Sequence, residues 1–162
     1  MRWIRGFTLI ELIVTIAILA IIASWATPSW QRSVQRSQVD SDARGFAQAL
    51  MLARSEAVTR GADVSVCPLD STSNTACGTD WQQGWVAYVG NGTTFTAANR
   101  LRVREGLRAQ KMSGAASLIT FSARGMLTTV DGSWNFCSGE HTTAVEASKS
   151  GRVQLGAGSE CE

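Results

Sequence analysis

The chain has 162 residues, of which 44% are hydrophobic and 17% charged, and a formal net charge of +2. That length supports one domain with a core of its own and is too short for two ordinary ones. The excess charge comes from Arg2 and Arg5, beyond which 13 basic residues balance 13 acidic ones, a neutrality that argues against a strongly nucleic-acid-binding domain.

Residues 7–26 contain only Thr8, Glu11, Thr15 and Ser24 as polar interruptions, which is the pattern of one membrane span. Arg2 and Arg5 on its near flank hold that side in the cytoplasm, so the rest of the chain is exported. A cleavable secretory signal is the rival reading, with Ser24-Trp25-Ala26 as its cleavage site. Glu11 counts against it. A carboxylate inside an apolar run costs roughly 2.5 to 3.5 kcal/mol on insertion scales and is usually retained only for a function.

The helical pattern continues past the span. Val39, Ala43, Phe46, Leu50, Ala53 and Ala57 recur at alternating spacings of four and three, while Arg36, Asp40, Asp42, Arg44 and Arg54 fall on other faces. Gly61 follows Arg60 as a C-terminal cap, so a helix is predicted over 7–60, roughly 80 Å long at 1.5 Å per residue. Beyond it the period becomes alternating, with Gly, Asn and Asp between short runs. Strands are predicted at 62–67, 84–89, 100–105, 117–122, 133–137, 142–147 and 151–155. Turns are expected at Asn91-Gly92, Arg124-Gly125, Asp131-Gly132 and Ser150-Gly151.

Four cysteines, Cys67, Cys77, Cys137 and Cys161, all follow the apolar run. Their even number favours disulfides in an oxidising compartment, and of the three possible pairings Cys67 with Cys77 and Cys137 with Cys161 is the simplest. No closely spaced cysteine pair suggests a zinc site, and no metal or other cofactor is expected. Catalysis finds no support either, since the chain has one histidine, His141, and no HExxH, GxSxG, P-loop or dinucleotide motif. Trp81, Trp85 and Trp134 are assigned to the core of the head, and Trp3 and Trp25 to the flanks of the lipid.

One charged constellation invites a binding role. Arg100, Arg102 and Arg104 alternate with Leu101 and Val103, so in a regular strand the three guanidiniums share a face, with Arg108 and Lys111 close behind. Such a stripe could hold DNA phosphates, or serve as a solvated or subunit-facing surface.

Gly6-Phe7-Thr8-Leu9-Ile10-Glu11-Leu12 resembles the class III signal of type IV prepilins and type II secretion pseudopilins. The resemblance implies that a prepilin peptidase cuts after Gly6 and methylates Phe7, and that the apolar helix stays attached as filament core. It implies that Glu11 serves assembly, its burial offset by the N-terminal amine of a neighbouring subunit, and that Pro28 bends the helix by lacking a backbone N–H. Further along, Ala53-Arg54-Ser55-Glu56-Ala57, Trp81 with Gly84-Trp85, Ile119-Thr120-Phe121 leading to Gly125, and Gly151-Arg152-Val153 resemble the GspH/FimT branch. That branch implies a head of two β-sheets packed on the helix and a position at or near a filament tip. Some FimT-type members are implicated in DNA binding through a Gly-Arg-x-Arg motif. Here that motif reads Gly151-Arg152-Val153-Gln154, so only Arg152 carries over.

The expected protein is α+β, with a long N-terminal membrane and amphipathic helix packed on a β-rich head. Its expected divisions are a leader at 1–6, a transmembrane half-helix at 7–30, an amphipathic half at 31–61 and a disulfide-containing head at 62–162. Its expected role is that of a minor pilin assisting pilus assembly or initiation; the alternatives are a type II secretion pseudopilin and a DNA-binding pilin for transformation. The expected partners are major and minor pilins, the prepilin peptidase, the inner membrane and, on the last reading, DNA. The expected location is the bacterial inner membrane, single-pass with a periplasmic head, and then the pilus or pseudopilus.

Overall fold

The protein is described by a computed structural model covering residues 7–73, 75–114, 116–129, 131–159 and 161, with the side chains of 23–28 left aside. The predicted leader, Gly6 and Trp3 lie outside the described residues, as do the side chains of Trp25 and Pro28.

Helix α1 spans Leu9–Arg60. It starts where Thr8 supplies a cap: its hydroxyl accepts the Glu11 N–H at 3.3 Å, and its carbonyl accepts the Leu12 N–H at 3.2 Å. The Thr-x-x-Glu spacing is that of a capping box. The helix ends at Gly61, whose φ of 63° lets the Ala62 N–H turn back onto the Ala57 carbonyl at 3.2 Å, a closure that favours glycine.

From Leu9 to Ile22 the α1 side chains are all exposed in the isolated chain, with Leu9 76% and Ile22 59% accessible. Among the described residues no helix is long and apolar enough to cross a membrane; residues 23–26 of the apolar run belong to the stretch whose side chains are left aside.

The later part of α1 belongs to the head. Val39, Ala43, Phe46, Leu50, Ala53 and Ala57 are each at most 1% exposed. Asp42, assigned to a polar face by its residue type, is fully buried instead. It follows Val39 by three positions and precedes Phe46 by four, so it lies on the same stripe as they do.

Two four-stranded antiparallel sheets pack with that stripe. The first is built from β1 (Val64–Pro68), β2 (Gly84–Val89), β3 (Arg100–Glu105) and β5 (Ile119–Phe121), in the order β3-β2-β1-β5. The second is built from β4 (Lys111–Gly114), β6 (Gly132–Ser138), β7 (His141–Ala147) and β8 (Val153–Ala157), in the order β4-β6-β7-β8. Gly132 opens β6 and is not part of a turn. Strand β4 has no counterpart in the sequence reading, because Lys-Met-Ser-Gly has neither β-branched residues nor a clear alternation.

Phe46 is the point at which both sheets meet the helix. Its ring lies 5.3 and 5.2 Å from Trp81 and Trp85 on the side of the first sheet, and 5.8 and 5.7 Å from Trp134 and Phe136 on β6 of the second. Edge-to-face and tilted pairs of this kind add to the area each ring buries. A smaller apolar cluster of Cys67, Val86, Tyr88 and Phe95 covers the other face of the first sheet. Disulfides join Cys67 to Cys77 and Cys137 to Cys161, closing loops of sequence separation 10 and 24. The second ties the C-terminal tail to β6.

Candidate functional site

Glu11 sits in the first turn of α1 among exposed Leu9, Ile10, Leu12, Ile13 and Val14. The other polar side chains nearby are satisfied locally. Thr15 donates to the Leu12 carbonyl at 2.8 Å, and Thr8 caps the helix. The Glu11 carboxylate has no partner among the described residues. An unpaired carboxylate ringed by apolar side chains favours burial only if a cation reaches it.

The arginine stripe does not exist as one surface. Trp85 pairs with Arg104 and Ala87 with Arg102, but the register then slips, so that Tyr88 faces Arg100 and Leu101 is the extra residue. This β-bulge turns Arg100 to the opposite face of the sheet from Arg102 and Arg104. Arg104 turns inward: its guanidinium donates to the Asp42 carboxylate and lies 5.4 Å from the centre of the Trp85 ring. The second oxygen of Asp42 accepts the Arg108 and Ala109 backbone N–H groups at 2.6 and 2.8 Å. Asp42 and Arg104 therefore form a structural staple between helix and sheet. Arg102, Arg108 and Lys111 are exposed, while Arg152 lies beside Met51, Ser55 and Val58 of α1, roughly 20 Å along the helix axis from Asp42 at 1.5 Å per residue. The six basic residues do not converge.

Three of the sequence motifs do meet. The Arg54 guanidinium donates to the Gly125 carbonyl at 3.0 Å and to the Ser150 carbonyl at 3.2 Å. Gly151 is held between these groups with φ 77°, and a Cβ there would collide with the Gly125 oxygen and Arg54. One arginine thus fastens the end of α1 to the loop after β5 and to the β7–β8 turn. Sequence reading identifies each motif but misses their meeting, because residues 54, 125 and 151 are joined only by the tertiary fold. The burial of Asp42 was missed as well, although its phase with Val39 and Phe46 was a usable signal.

The protein resembles known filament subunits along its length. Residues 42–156 match the family described as Type II transport protein GspH, and residues 4–27 match the prokaryotic N-terminal methylation motif. The fold is similar to the type IV minor pilin FimU of Pseudomonas aeruginosa, with 26% identity over 75% of this chain and 90% of that one, at a TM-score of 0.60. A second crystal form of FimU gives 23% identity over 72% and 91%, with a TM-score of 0.54. The minor pseudopilin EpsH of the Vibrio cholerae Type 2 Secretion System shares the fold, with 15% identity over 74% and 97% and a TM-score of 0.51.

A methylation-motif helix with a two-sheet antiparallel head defines a type IV pilin-like protein. This chain belongs to the GspH family and has a minor pilin or pseudopilin role. The family is one of structural subunits, not one known for enzymatic activity, and membership implies assembly with other pilins in a pilus or pseudopilus.

Proposed function

We propose that the chain is a minor type IV pilin: cut after Gly6 by a prepilin peptidase, methylated at Phe7, anchored in the inner membrane through 7–30, and then incorporated at or near the filament tip to assist pilus initiation. The observation that carries this reading is the Glu11 carboxylate, unpartnered among the described residues, in the first turn of a helix whose surrounding side chains there are apolar and exposed. On this reading the N-terminal amine of a neighbouring subunit's Phe7 supplies the cation that pairs with it. On the same reading Pro28, which lacks a backbone N–H, is the residue that would bend the helix near the outer end of the membrane segment.

The match to FimU, at 26% identity, favours the pilus; the family description and EpsH keep the type II secretion pseudopilus as a second reading. DNA uptake is the reading least supported, because the arginines are divided between two faces and one of them is engaged by Asp42.

Two measurements test the proposal. Mass spectrometry of membrane-extracted protein should find a chain beginning at N-methylated Phe7; a start at Thr27 would refute it. Glu11→Gln should leave processing intact while removing the chain from sheared filaments, and wild-type recovery would exclude the pairing.

A further inference from the structure

Each sheet of the head has two edges, and three of the four are defended. Strand β3 carries a bulge and three arginines. The outer side of β5 is covered, because Thr128 donates its N–H to the Thr120 carbonyl at 2.9 Å and Leu127 bridges Phe121. Strand β4 is four residues long and starts at an exposed lysine. Short length, bulges, charges and cover are the devices by which proteins keep edges from pairing. Among the described residues strand β8, five residues long, carries no bulge, no charge and no cover. Its sequence, Val-Gln-Leu-Gly-Ala, has no charge and no proline, and it pairs with β7 in unbroken register.

The direction of its free hydrogen-bonding groups follows from the turn that precedes it. Gly151 donates its N–H to the Ser148 carbonyl at 2.8 Å, and Ser148 donates its own to the Arg152 carbonyl at 3.0 Å. The Arg152 carbonyl therefore faces the β7 side of the hairpin, and by the antiparallel alternation 154 and 156 exchange bonds with β7. The N–H and C=O groups of Val153, Leu155 and Ala157 point to the open edge.

Hollows lie on both faces at this edge. On the α1 side, Val153 and Arg152 border a groove of about 470 Å³ with Met51, Ser55 and Val58, where Met51 and Val58 are 50% and 54% exposed. On the outer side, Arg152 and Gln154 border a depression of about 560 Å³. The guanidinium of Arg152 has no partner among the described residues, and Lys149 is exposed in the preceding turn.

We infer that β8 is a strand-addition site for an extended segment of a neighbouring pilin-type subunit. The segment alternates apolar residues, which enter the groove beside Met51 and Val58, with polar ones, and carries an acidic side chain opposite Arg152. Backbone bonds to Val153, Leu155 and Ala157 supply affinity, and the alternating pockets supply selectivity. Arg152 and Lys149 favour an acidic side chain at the start of β8, where Asp131 and Glu146 also line the outer depression. The inference rests on the filament reading above, which provides the neighbouring subunit.

Hydrogen exchange of the full chain, resolved by residue and compared between detergent-solubilised protein and sheared filaments, tests the backbone pairing. The amides of 153, 155 and 157 should slow at least about tenfold on incorporation, the tenfold that about 1.4 kcal/mol represents, while those of 154 and 156 are already slow in detergent. Chain present in filaments with 153, 155 and 157 still exchanging freely would overturn strand addition alone. Chain absent from filaments would overturn it together with the filament reading. Leu155→Pro gives a second route, because that N–H points away from β7 and edge proline is tolerated there. Folded Leu155→Pro should fall at least about tenfold below Leu155→Ala in recovery from filaments; equal recovery would overturn the inference.

Discussion

The two ends of α1 obey opposite rules. From Leu9 to Ile22 apolar side chains point in every direction and all are exposed, whereas Val39, Ala43, Phe46, Leu50, Ala53 and Ala57 keep to one stripe and are buried against two sheets. The second pattern is complete within the chain, since Phe46 and Leu50 find their partners in its own strands. The first is incomplete, and its one carboxylate is unmatched. A helix apolar all round belongs in a medium or an assembly that the chain does not itself supply. Amphipathic phase thus separates the part of a helix that builds a fold from the part that builds a larger structure.

Paired substitutions would break that contrast if it is wrong. Phe46→Ala should cost about 3 to 5 kcal/mol of head stability, measured by denaturant unfolding of the full chain in detergent, because four aromatic neighbours lose their common contact. Glu11→Gln should leave that unfolding curve unchanged while it abolishes incorporation. A head destabilised by Glu11→Gln, or untouched by Phe46→Ala, would erase the distinction.

Smaller effects sharpen it. Arg104→Ala removes the cation from a fully buried carboxylate and should cost about 2 kcal/mol, as expected when a buried acceptor loses a charged partner. Arg102→Ala, exposed on the same strand, should stay within about 0.5 kcal/mol. Equal losses in the two variants would mean that the arginines act as one surface after all.

The smallest expected effect is one of pH. Burial pushes the Tyr88 hydroxyl above its ordinary value of 10.0, against a lesser opposing effect from Ser65. The unfolded chain releases that proton first, so the contribution of the neutral ring is fully present below pH 10.0 and declines as the pH rises beyond it. Tyr88→Phe should remove this alkaline slope while giving up the hydroxyl's bond to the Gly92 carbonyl. An unchanged slope would assign it to another group.

Much of the architecture was legible because strong periodicities carried it. The buried stripe 39–57 is a run of fours and threes, and Gly61 marks its end. Seven of the eight strands coincide with alternating runs, and strand β4 escaped because Lys111–Gly114 is held by pairing with β6, not by its own propensity. The arginines misled for a related reason. Alternation in sequence becomes a shared face only in an unbroken strand, and the extra residue at Leu101 is a property of the pairing with β2. Arg54, Gly125 and Gly151 stood out separately as motif residues, while their meeting depends on contacts across 71 and 96 positions of chain.

The three attachments of α1 in the head also have a mechanical consequence. Asp42, Phe46 and Arg54 grip strands or loops at successive heights, spread over roughly 18 Å of helix at 1.5 Å per residue. A pull directed along the helix axis would load the carboxylate staple, the aromatic plug and the guanidinium bolt at once, in shear. A sideways pull would meet them one after another and peel the helix away at far lower force. A subunit joined to its surroundings in this way is suited to carrying tension lengthwise.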